Sequence, residues 1–413
     1  MSLDWNKKPL GNIANLVMGQ SPESKYYSDE EKGLPFLQGC AEFQSRFPKH
    51  VQYCSQIKKY VPEGALLFSV RAPVGKINVA DKEYIIGRGI AGIIGTEIDQ
   101  NYLEHYLKFQ EQKFQKSSQG STFEAINSSE LAGWQVLYPS SKLEQTKIAK
   151  ILSTVDQAIE QTEAIIAKQQ RIKTGLMQDL LTRGIDEQGN IRSEKTHEFK
   201  DSPLGRIPVE WEVVNLCNVA QISSGLTLGK NYVGPNTLKV PYLRVANVQD
   251  GYLDLSEVKK IRVPFSYIEK YQLNIGDVLM NEGGDFDKLG RGTVWRGEID
   301  LCLHQNHVFK VRPNKRQLIP DFLAAISSSP YGKEFFMMAS KQSTNLASIN
   351  STQLKAFPIP LPSYKEQERI NSILLQQDAQ TCGIGKLLRK LLWQKTALMQ
   401  DLLTGKVRVP LDK

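Results

Sequence analysis

The sequence has no run of apolar residues long enough to cross a bilayer, and its start, MSLDWNKKPL, lacks the apolar stretch of a signal peptide. Cysteine is scarce. Cys40, Cys54, Cys217, Cys302 and Cys382 are scattered, odd in number and nowhere spaced CxxC, which argues against a disulfide frame or a zinc site and for reduced thiols. These absences predict a cytoplasmic protein with no membrane partner. Strong charge of one sign is lacking too: the net is +8 over 413 residues, and residues 364–413 alone hold nine basic and five acidic side chains. Such a balance permits a nucleic-acid partner without demanding one, so local clusters would have to do the binding.

Catalytic signatures are missing as well. GLTLGKN (Gly225–Asn231) has three residues between its glycines where a phosphate loop needs four, and Asn231 stands where the metal-binding Ser or Thr belongs. No GxGxxG follows a strand, and no Asn/Asp-Pro-Pro-Tyr stretch of an amino-methyltransferase occurs. The chain is therefore expected neither to bind S-adenosylmethionine nor to methylate by itself. CLHQNH offers Cys302, His304 and His307, but on a strand residues 304 and 307 point to opposite faces, so no metal site is read there. GGDFDKLG holds Asp285 and Asp287 without the remaining oxygen ligands of a calcium loop. Asp250 with Glu257-Val258-Lys259 has the outline of a metal-dependent nuclease site, though the other half of the chain has no counterpart.

What is present is a repeat. LMQDLLT begins at Leu176 and again at Leu398, an offset of 222, and at that offset Glu144-Gln145 meets Glu366-Gln367, Leu152 meets Leu374 and Asp156 meets Asp378. At an offset of 206 the fronts of the halves align: Trp5 with Trp211, Gly19 with Gly225, Leu37 with Leu243. A period of this size denotes a duplicated domain-plus-helix unit, not a solenoid.

Both stretches aligned at 222 read as long helices. Ile148, Leu152, Val155, Ile159, Ile166, Leu176 and Leu180 in the first, and Ile370, Leu374, Ile384, Leu388, Leu391, Leu398 and Leu402 in the second, fall at alternating spacings of four and three with a few polar interruptions. This is the 3.5-residue repeat of a coiled coil. Pro139 and Pro362 precede the runs, and Gly184 and Gly405 follow them, as stop signals. A helix of roughly 40 residues is ~60 Å long and cannot bury its stripe alone, so each helix is expected to pack on its duplicate. Gly383 and Gly385 interrupt the pattern, either to allow close backbone approach or as a weak point. Gly184–Pro208 is polar and aperiodic and reads as an exposed linker. The two remaining stretches read as mixed α/β, with short strand-like runs such as GALLFSV and NHVFKVRP divided by Gly and Pro.

Polar residues suited to base edges and phosphates cluster in turn-rich segments of each half. In the first half they are Gln38, Gln44, Arg46, Lys49, His50, Arg71, Lys76 and Arg88. In the second they are Arg244, Asn247, Gln249, Lys288, Arg291, Gln305 and Asn306. Arg, Lys, Asn and Gln match the donor and acceptor pattern of the major groove.

DSPLGRIPVEW (Asp201–Trp211), VPYLRVANVQDGYLD (Val240–Asp254) and IPLP…KEQERI (Ile359–Ile370) resemble the specificity subunit of type I restriction-modification systems. Weaker versions stand in the first half: LPFLQG, VLYPSSKLEQTKIAKIL and LMQDLLTRGI. The likeness spans essentially the whole chain in the family's order, with one departure, GCAEFQ in place of an Asn-x-x-x-Gly turn. It implies an α+β fold with two globular target-recognition domains separated by two long α-helices packed as an antiparallel coiled coil, in a pseudo-twofold duplicated architecture. The expected segments are recognition domain 1 at 1–142, a central helix at 143–183, a linker at 184–206, recognition domain 2 at 207–363, a C-terminal helix at 364–404 and a tail at 405–413. The implied function is recognition of a bipartite, asymmetric site in double-stranded DNA, with one domain per half-site. The implied partners are two methyltransferase subunits docked on the helices and restriction subunits joined through them. S-adenosylmethionine, ATP and Mg²⁺ would belong to those partners, and this chain would bind no cofactor or metal. The chain is expected to be cyclic in organisation, with its C-terminal end returning to the first domain. Two other readings compete with this one, a stand-alone metal-dependent nuclease and a non-catalytic coiled-coil scaffold.

Overall fold

Both periodic stretches fold as single, uninterrupted helices. The structure, a computed structural model, describes residues 4–118, 125–229, 232–284, 289–290, 292–342 and 347–410. One long helix spans Lys142–Thr182 (41 residues) and the other Tyr364–Leu402 (39 residues). Ser141 and Ser363 stand at their starts, where each hydroxyl accepts from the backbone N–H three residues on, of Glu144 at 3.5 Å and of Glu366 at 3.2 Å. Gly184 (φ +63°) and Gly405 (φ +72°) follow their ends in the left-handed conformation that stops a helix. Gly383 and Gly385 lie inside the second helix, and a Cβ at either would meet nothing within 4 Å. They do not serve close packing; the helix runs through them despite a propensity cost of ~1 kcal/mol each.

The chain forms two compact units, residues 1–164 with 385–413 and residues 165–384. In the first, an antiparallel sheet takes the order Ala14–Met18, Ile90–Gly95, Leu66–Ser69, Ile77–Val79. A second sheet contains the parallel pair Leu34–Leu37 and Tyr84–Ile86, with Phe36 opposite Ile85. In the other unit, Ala220–Ser224, Val308–Pro313, Val278–Asn281 and Gly292–Val294 form the same antiparallel order. Its second sheet has the same parallel pair, Thr237–Leu243 beside Leu303–His304, with Tyr242 opposite Leu303. Even the register repeats: Ala14 faces Gly95 as Ala220 faces Pro313. The two units thus share strand order and pairing.

Each unit closes its core with helix residues. Ile148, Leu152 and Leu402 join Phe68, Tyr102, Leu103 and Phe114 in the first core. Leu180, Ile370 and Leu374 join Trp211, Phe309, Phe322 and Phe357 in the second. A fully buried Leu or Phe contributes roughly 1.5–3 kcal/mol, so these side chains tie helix to domain. Within each unit the helix segments run antiparallel. Lys395 meets Asp156 at 2.6 Å in the first, where Leu402 lies in the same cluster as Ile148. Lys173 meets Asp378 at 2.5 Å in the second, where Ile370 lies with Leu180. All fourteen seam residues named from the sequence are buried or half-buried: Ile148, Leu152, Val155, Ile159, Ile166, Leu176, Leu180, Ile370, Leu374, Ile384, Leu388, Leu391, Leu398 and Leu402.

The repeated Glu-Gln dipeptide explains how each domain is clamped to its helix. The Gln145 amide accepts from the Asp99 backbone N–H (2.7 Å) and donates to the Pro139 carbonyl (2.8 Å). Gln367 accepts from Ile319 N–H (3.0 Å) and donates to the Gln317 and Pro362 carbonyls. Asp99 and Ile319 are the N-caps of corresponding domain helices, Gln100–Phe109 and Pro320–Ser328. The neighbouring carboxylates take an arginine each. Arg192 binds Glu366, which also accepts from Ile185 N–H and the Trp211 indole. Arg408 binds Glu144 through two hydrogen bonds.

Residues 184–206 are largely exposed, as expected from their charge, but they are anchored at two points and partly ordered. Ile185 and Arg192 are buried, and Phe199–Ser202 pairs with Gly205–Pro208 as a hairpin. A buried arginine is stable here because the buried Glu366 neutralises it.

Candidate nucleic-acid interface

The parallel strand pair in each unit ends in two tips that the fold brings together. In the first unit, Gln38 follows Leu34–Leu37 and Arg88 lies just beyond Tyr84–Ile86. Gly87 N–H donates to the Leu37 carbonyl (2.8 Å) and Gln20 N–H to the Ile86 carbonyl (2.9 Å). In the second unit, Arg244 follows Thr237–Leu243, and Gln305 and Asn306 follow Leu303–His304. Gln305 N–H donates to the Leu243 carbonyl (2.9 Å) and Leu226 N–H to the His304 carbonyl (2.9 Å). The two scaffolds are the same, yet Gly87-Arg88-Gly89 stands in one where Gln305-Asn306-His307 stands in the other.

Glycine makes these crossings possible. A Cβ at Gly19 would sit 2.2 Å from the Gly87 carbonyl oxygen, and one at Gly225 would sit 2.1 Å from that of His304. No other residue fits where these backbones cross.

Gln38 is exposed and donates to Ser21 Oγ (3.0 Å); the same hydroxyl accepts from Arg88 N–H (3.2 Å). Arg71, Lys49 and Gln44 are exposed, and the Gln44 backbone is bracketed by the buried Asn78 amide (3.2 and 2.9 Å). His50 is half-buried and packs edge-on to Tyr53 and Tyr84; burial, with Lys82 nearby, holds its pKa below the ordinary imidazole range. Lys76 is paired to Glu111 at 2.7 Å. Gln305 and Asn306 are half-buried, and Asn306 Nδ2 lies 3.3 Å from His307, itself 2.7 Å from Glu282. Gln249 is half-buried and bonds the Ala246 carbonyl. Lys288 and Arg291 lie outside the described residues, as do Asp285 and Asp287.

Three candidates are turned to other work. Asn247 is a brace, not a reader: it is buried, accepts from Arg244 N–H and donates to the carbonyls of Asp254 and Glu257. Arg244 is half-buried and folds back onto Glu257, with its carboxylate at 3.5 Å. Arg46 is half-buried, lies over the Phe47 ring and faces Glu104 at 3.6 Å, lining a cleft of about 180 Å³ against the long helices. Composition could not separate these from presented residues, because each is spent on a partner distant in sequence or hidden by a turn.

The groups considered for catalysis do not converge. Asp250 is held by Lys333 at 3.0 Å while Glu257 faces Arg244. His304 is buried, with Nδ1 2.7 Å from the Val308 carbonyl, and burial pushes its pKa down to about 4. His307 is exposed and lies beyond the strand, 2.7 Å from Glu282. Cys302 is buried, and its thiol is pushed up to about 12 by burial. Among the described residues no group of three or more His, Cys, Asp or Glu is placed to hold a metal. No helix of the described structure is long and apolar enough to cross a membrane.

Sequence reading missed Ser21, which links the two tips, and Asn78, which fixes the Gln44 turn. It also missed the arginines that seat on Glu144 and Glu366, although the repeated Glu-Gln was the signal for them.

One scaffold built twice with different side chains at its tips defines a duplicated recognition module. The profile described as "Type I restriction modification DNA specificity domain" matches residues 2–169 and 208–391. The chain belongs to this family of type I restriction-modification DNA-specificity subunits. Over 415 residues it is 27% identical to the type I restriction enzyme MjaVIII specificity subunit of Methanocaldococcus jannaschii, covering 98% of this chain and 93% of that one. The EcoBI specificity subunit of Escherichia coli is 21% identical over 418 residues, covering 98% and 85%. The MjaX relative from M. jannaschii is 37% identical, but over 183 residues that span 43% of each chain. Two solved structures share the fold. An S subunit from M. genitalium matches with TM-score 0.59 at 16% identity, over 100% of this chain and 98% of its own. A chain from a study of complex assembly and conformational transition of the type I R-M system matches with TM-score 0.60 at 18% identity, over 98% and 99%.

Proposed function

We propose that this chain gives a type I restriction-modification complex its DNA sequence specificity, reading a bipartite, asymmetric double-stranded site with one recognition domain per half-site. The observation that carries this reading is the pair of tips. Identical strand registers hold Gly87-Arg88-Gly89 in one unit and Gln305-Asn306-His307 in the other. A conserved backbone with exchanged polar side chains is what two readers of different bases require.

The two helices dock two methyltransferase subunits, and restriction subunits join through them. The repeat at 222, shared by both helices, fits two copies of one partner. The chain itself binds no cofactor or metal. S-adenosylmethionine, ATP and Mg²⁺ act in the partner subunits, and the complex works in the cytoplasm. The recognition domains correspond to residues 1–142 and 207–363. A stand-alone nuclease would need Asp250 and Glu257 to share a metal, but each carboxylate is committed to a different cation.

The test is co-expression with a candidate methyltransferase subunit, followed by sequencing of methylated adenines. The expected result is a two-part, non-palindromic motif with an unread spacer, and no methyl transfer by this chain alone. Cleavage of DNA by the isolated chain, lost in Glu257→Ala, would instead support the nuclease.

A further inference from the structure

Of the candidate residues in the first unit, Arg88 is presented in a way the others are not. It projects between Gly87 and Gly89, and both glycines are pressed against the other tip. A Cβ at Gly87 would lie 3.0 Å from Gln38 Oε1 and 3.1 Å from Gln38 Cα. One at Gly89 would lie 2.7 Å from the Gln38 carbonyl oxygen. Neither flanking position can take a side chain unless the Gln38 loop gives way, so only the arginine projects from this turn.

The platform beneath it is fixed from four directions. Gly87 N–H donates to the Leu37 carbonyl (2.8 Å), Arg88 N–H to Ser21 Oγ (3.2 Å), Ile90 N–H to the Gly87 carbonyl (3.0 Å) and Val70 N–H to the Gly89 carbonyl (3.0 Å). The side chain itself is exposed and makes no ion pair or hydrogen bond among the described residues. Arg46 and Arg244, by contrast, are each engaged by a glutamate, and Lys76 is engaged by Glu111.

We infer that Arg88 is a specificity-determining residue that reads a guanine in one of the two half-sites. The inference rests on the proposed reading of the chain as a DNA-specificity subunit and deepens it. The guanidinium fork matches guanine O6 and N7 as a bidentate pair, the commonest specific contact in the major groove. With the backbone held, only the side-chain rotamers are left to be ordered on docking, and the planar fork loses less per hydrogen bond than an ammonium would. The corresponding tip of the other unit carries Gln305, Asn306 and His307 and no arginine, so the two half-sites are read with different chemistry.

The experiment compares the wild-type complex, assembled with its methyltransferase subunit, with Arg88→Ala and Arg88→Lys, and sequences the methylated adenines. In Arg88→Ala one position that is guanine in the wild-type site should become degenerate, its discrimination falling roughly tenfold to a hundredfold, and in Arg88→Lys, whose ammonium still donates to guanine, the same position should lose discrimination to a smaller degree. The other half-site and the spacer should stay as they were. Arg88→Lys keeps the charge and loses only the fork, so it separates base reading from phosphate binding. A motif that stays stringent at every position in both variants, whether binding is unchanged or uniformly weaker, overturns the assignment and makes Arg88 at most a phosphate contact. A wild-type complex that selects no bipartite motif overturns the underlying reading as well, and the wild-type sample alone reveals this.

Discussion

Arg408 and Glu144 are 264 residues apart in the chain and joined by two hydrogen bonds, at 2.6 and 2.7 Å. Arg192 and Glu366 make the corresponding pair in the other unit. The end of each long helix is thus followed by a short segment whose arginine returns to the start of a helix in the same unit. Gly405 lies against Trp5 as Gly184 lies against Trp211. The C-terminal tail does for the first unit what the segment after Gly184 does for the second.

These clasps give a first prediction. Arg192 and Glu366 are both buried, and breaking such a pair strands a buried charge at a cost of roughly 3–5 kcal/mol. Arg192→Ala should raise hydrogen exchange in strands Glu212–Asn215 and Pro358–Leu361. Arg408→Ala should do the same for Trp5–Pro9 and Gln135–Pro139, and each variant should leave the other unit's protection as it was. Unchanged exchange in both variants would show that the arginines do not hold these segments together.

A second prediction concerns the helix seam. Gln377 donates to Gln169 at 2.6 Å within the seam, and Gln377 is buried. The positions related to them by the 222 offset are Val155 and Leu391, which are apolar. Gln169→Leu alone leaves the Gln377 amide without that partner and should destabilise by roughly 1–3 kcal/mol. Adding Gln377→Val should recover most of that loss. Losses that simply add in a double-mutant cycle, read from urea midpoints, would deny the coupling.

A third prediction is a pH dependence. The folded pKa of His304 is near 4 against an ordinary value of 6.5. Below pH 6.5 the unfolded chain takes up a proton that the folded one refuses, so stability falls as pH falls. The loss from this residue reaches roughly 3 kcal/mol by pH 4. His105 is also buried and lowered, chiefly by desolvation, and adds in the same direction in the first unit. Exchange of strand Val308–Pro313 should rise between pH 7 and 5 beyond its intrinsic rate. His304→Leu should remove that slope even though it forfeits the bond to the Val308 carbonyl. An identical slope in the variant would assign the effect to other groups.

Both long helices were legible because a 3.5-residue apolar repeat is a local signal, and the duplication was legible as identity at a fixed offset. The anchoring of residues 184–206 was not. It depends on single residues, Ile185 and Arg192, meeting a glutamate far along the chain, and local composition reports only the charge around them. The candidate interface was partly legible for the same reason. Turn-rich clusters of Arg, Asn and Gln marked loops that lie at the strand tips, yet Asn247 braces its turn while Arg88 projects from one. That difference is set by the neighbours each backbone meets, including a serine 67 residues away for Arg88. The Glu-Gln repeat was visible as a match and became intelligible only once its partners, Asp99 and Ile319, were in place.

A fourth prediction treats the helices as a ruler between half-sites. Half-sites met on equivalent groove faces lie a whole turn apart, about 10 base pairs, and the ~60 Å helices are too short for two turns. Four residues of good helix former inserted near Ala167 add ~6 Å of rise. At ~3.4 Å per base pair, the unread spacer should lengthen by one to two pairs while the bases read stay the same. A variant that still methylates at the original spacing would show that the helices do not set the distance.

The most direct measurement is the methylated-adenine map of a complex in which residues 1–142 are replaced by the matching domain of another family member. If each domain reads its own half, one half of the motif changes, and the other half and the spacer are kept. Loss or change of both halves in a complex that remains assembled and active would contradict the account.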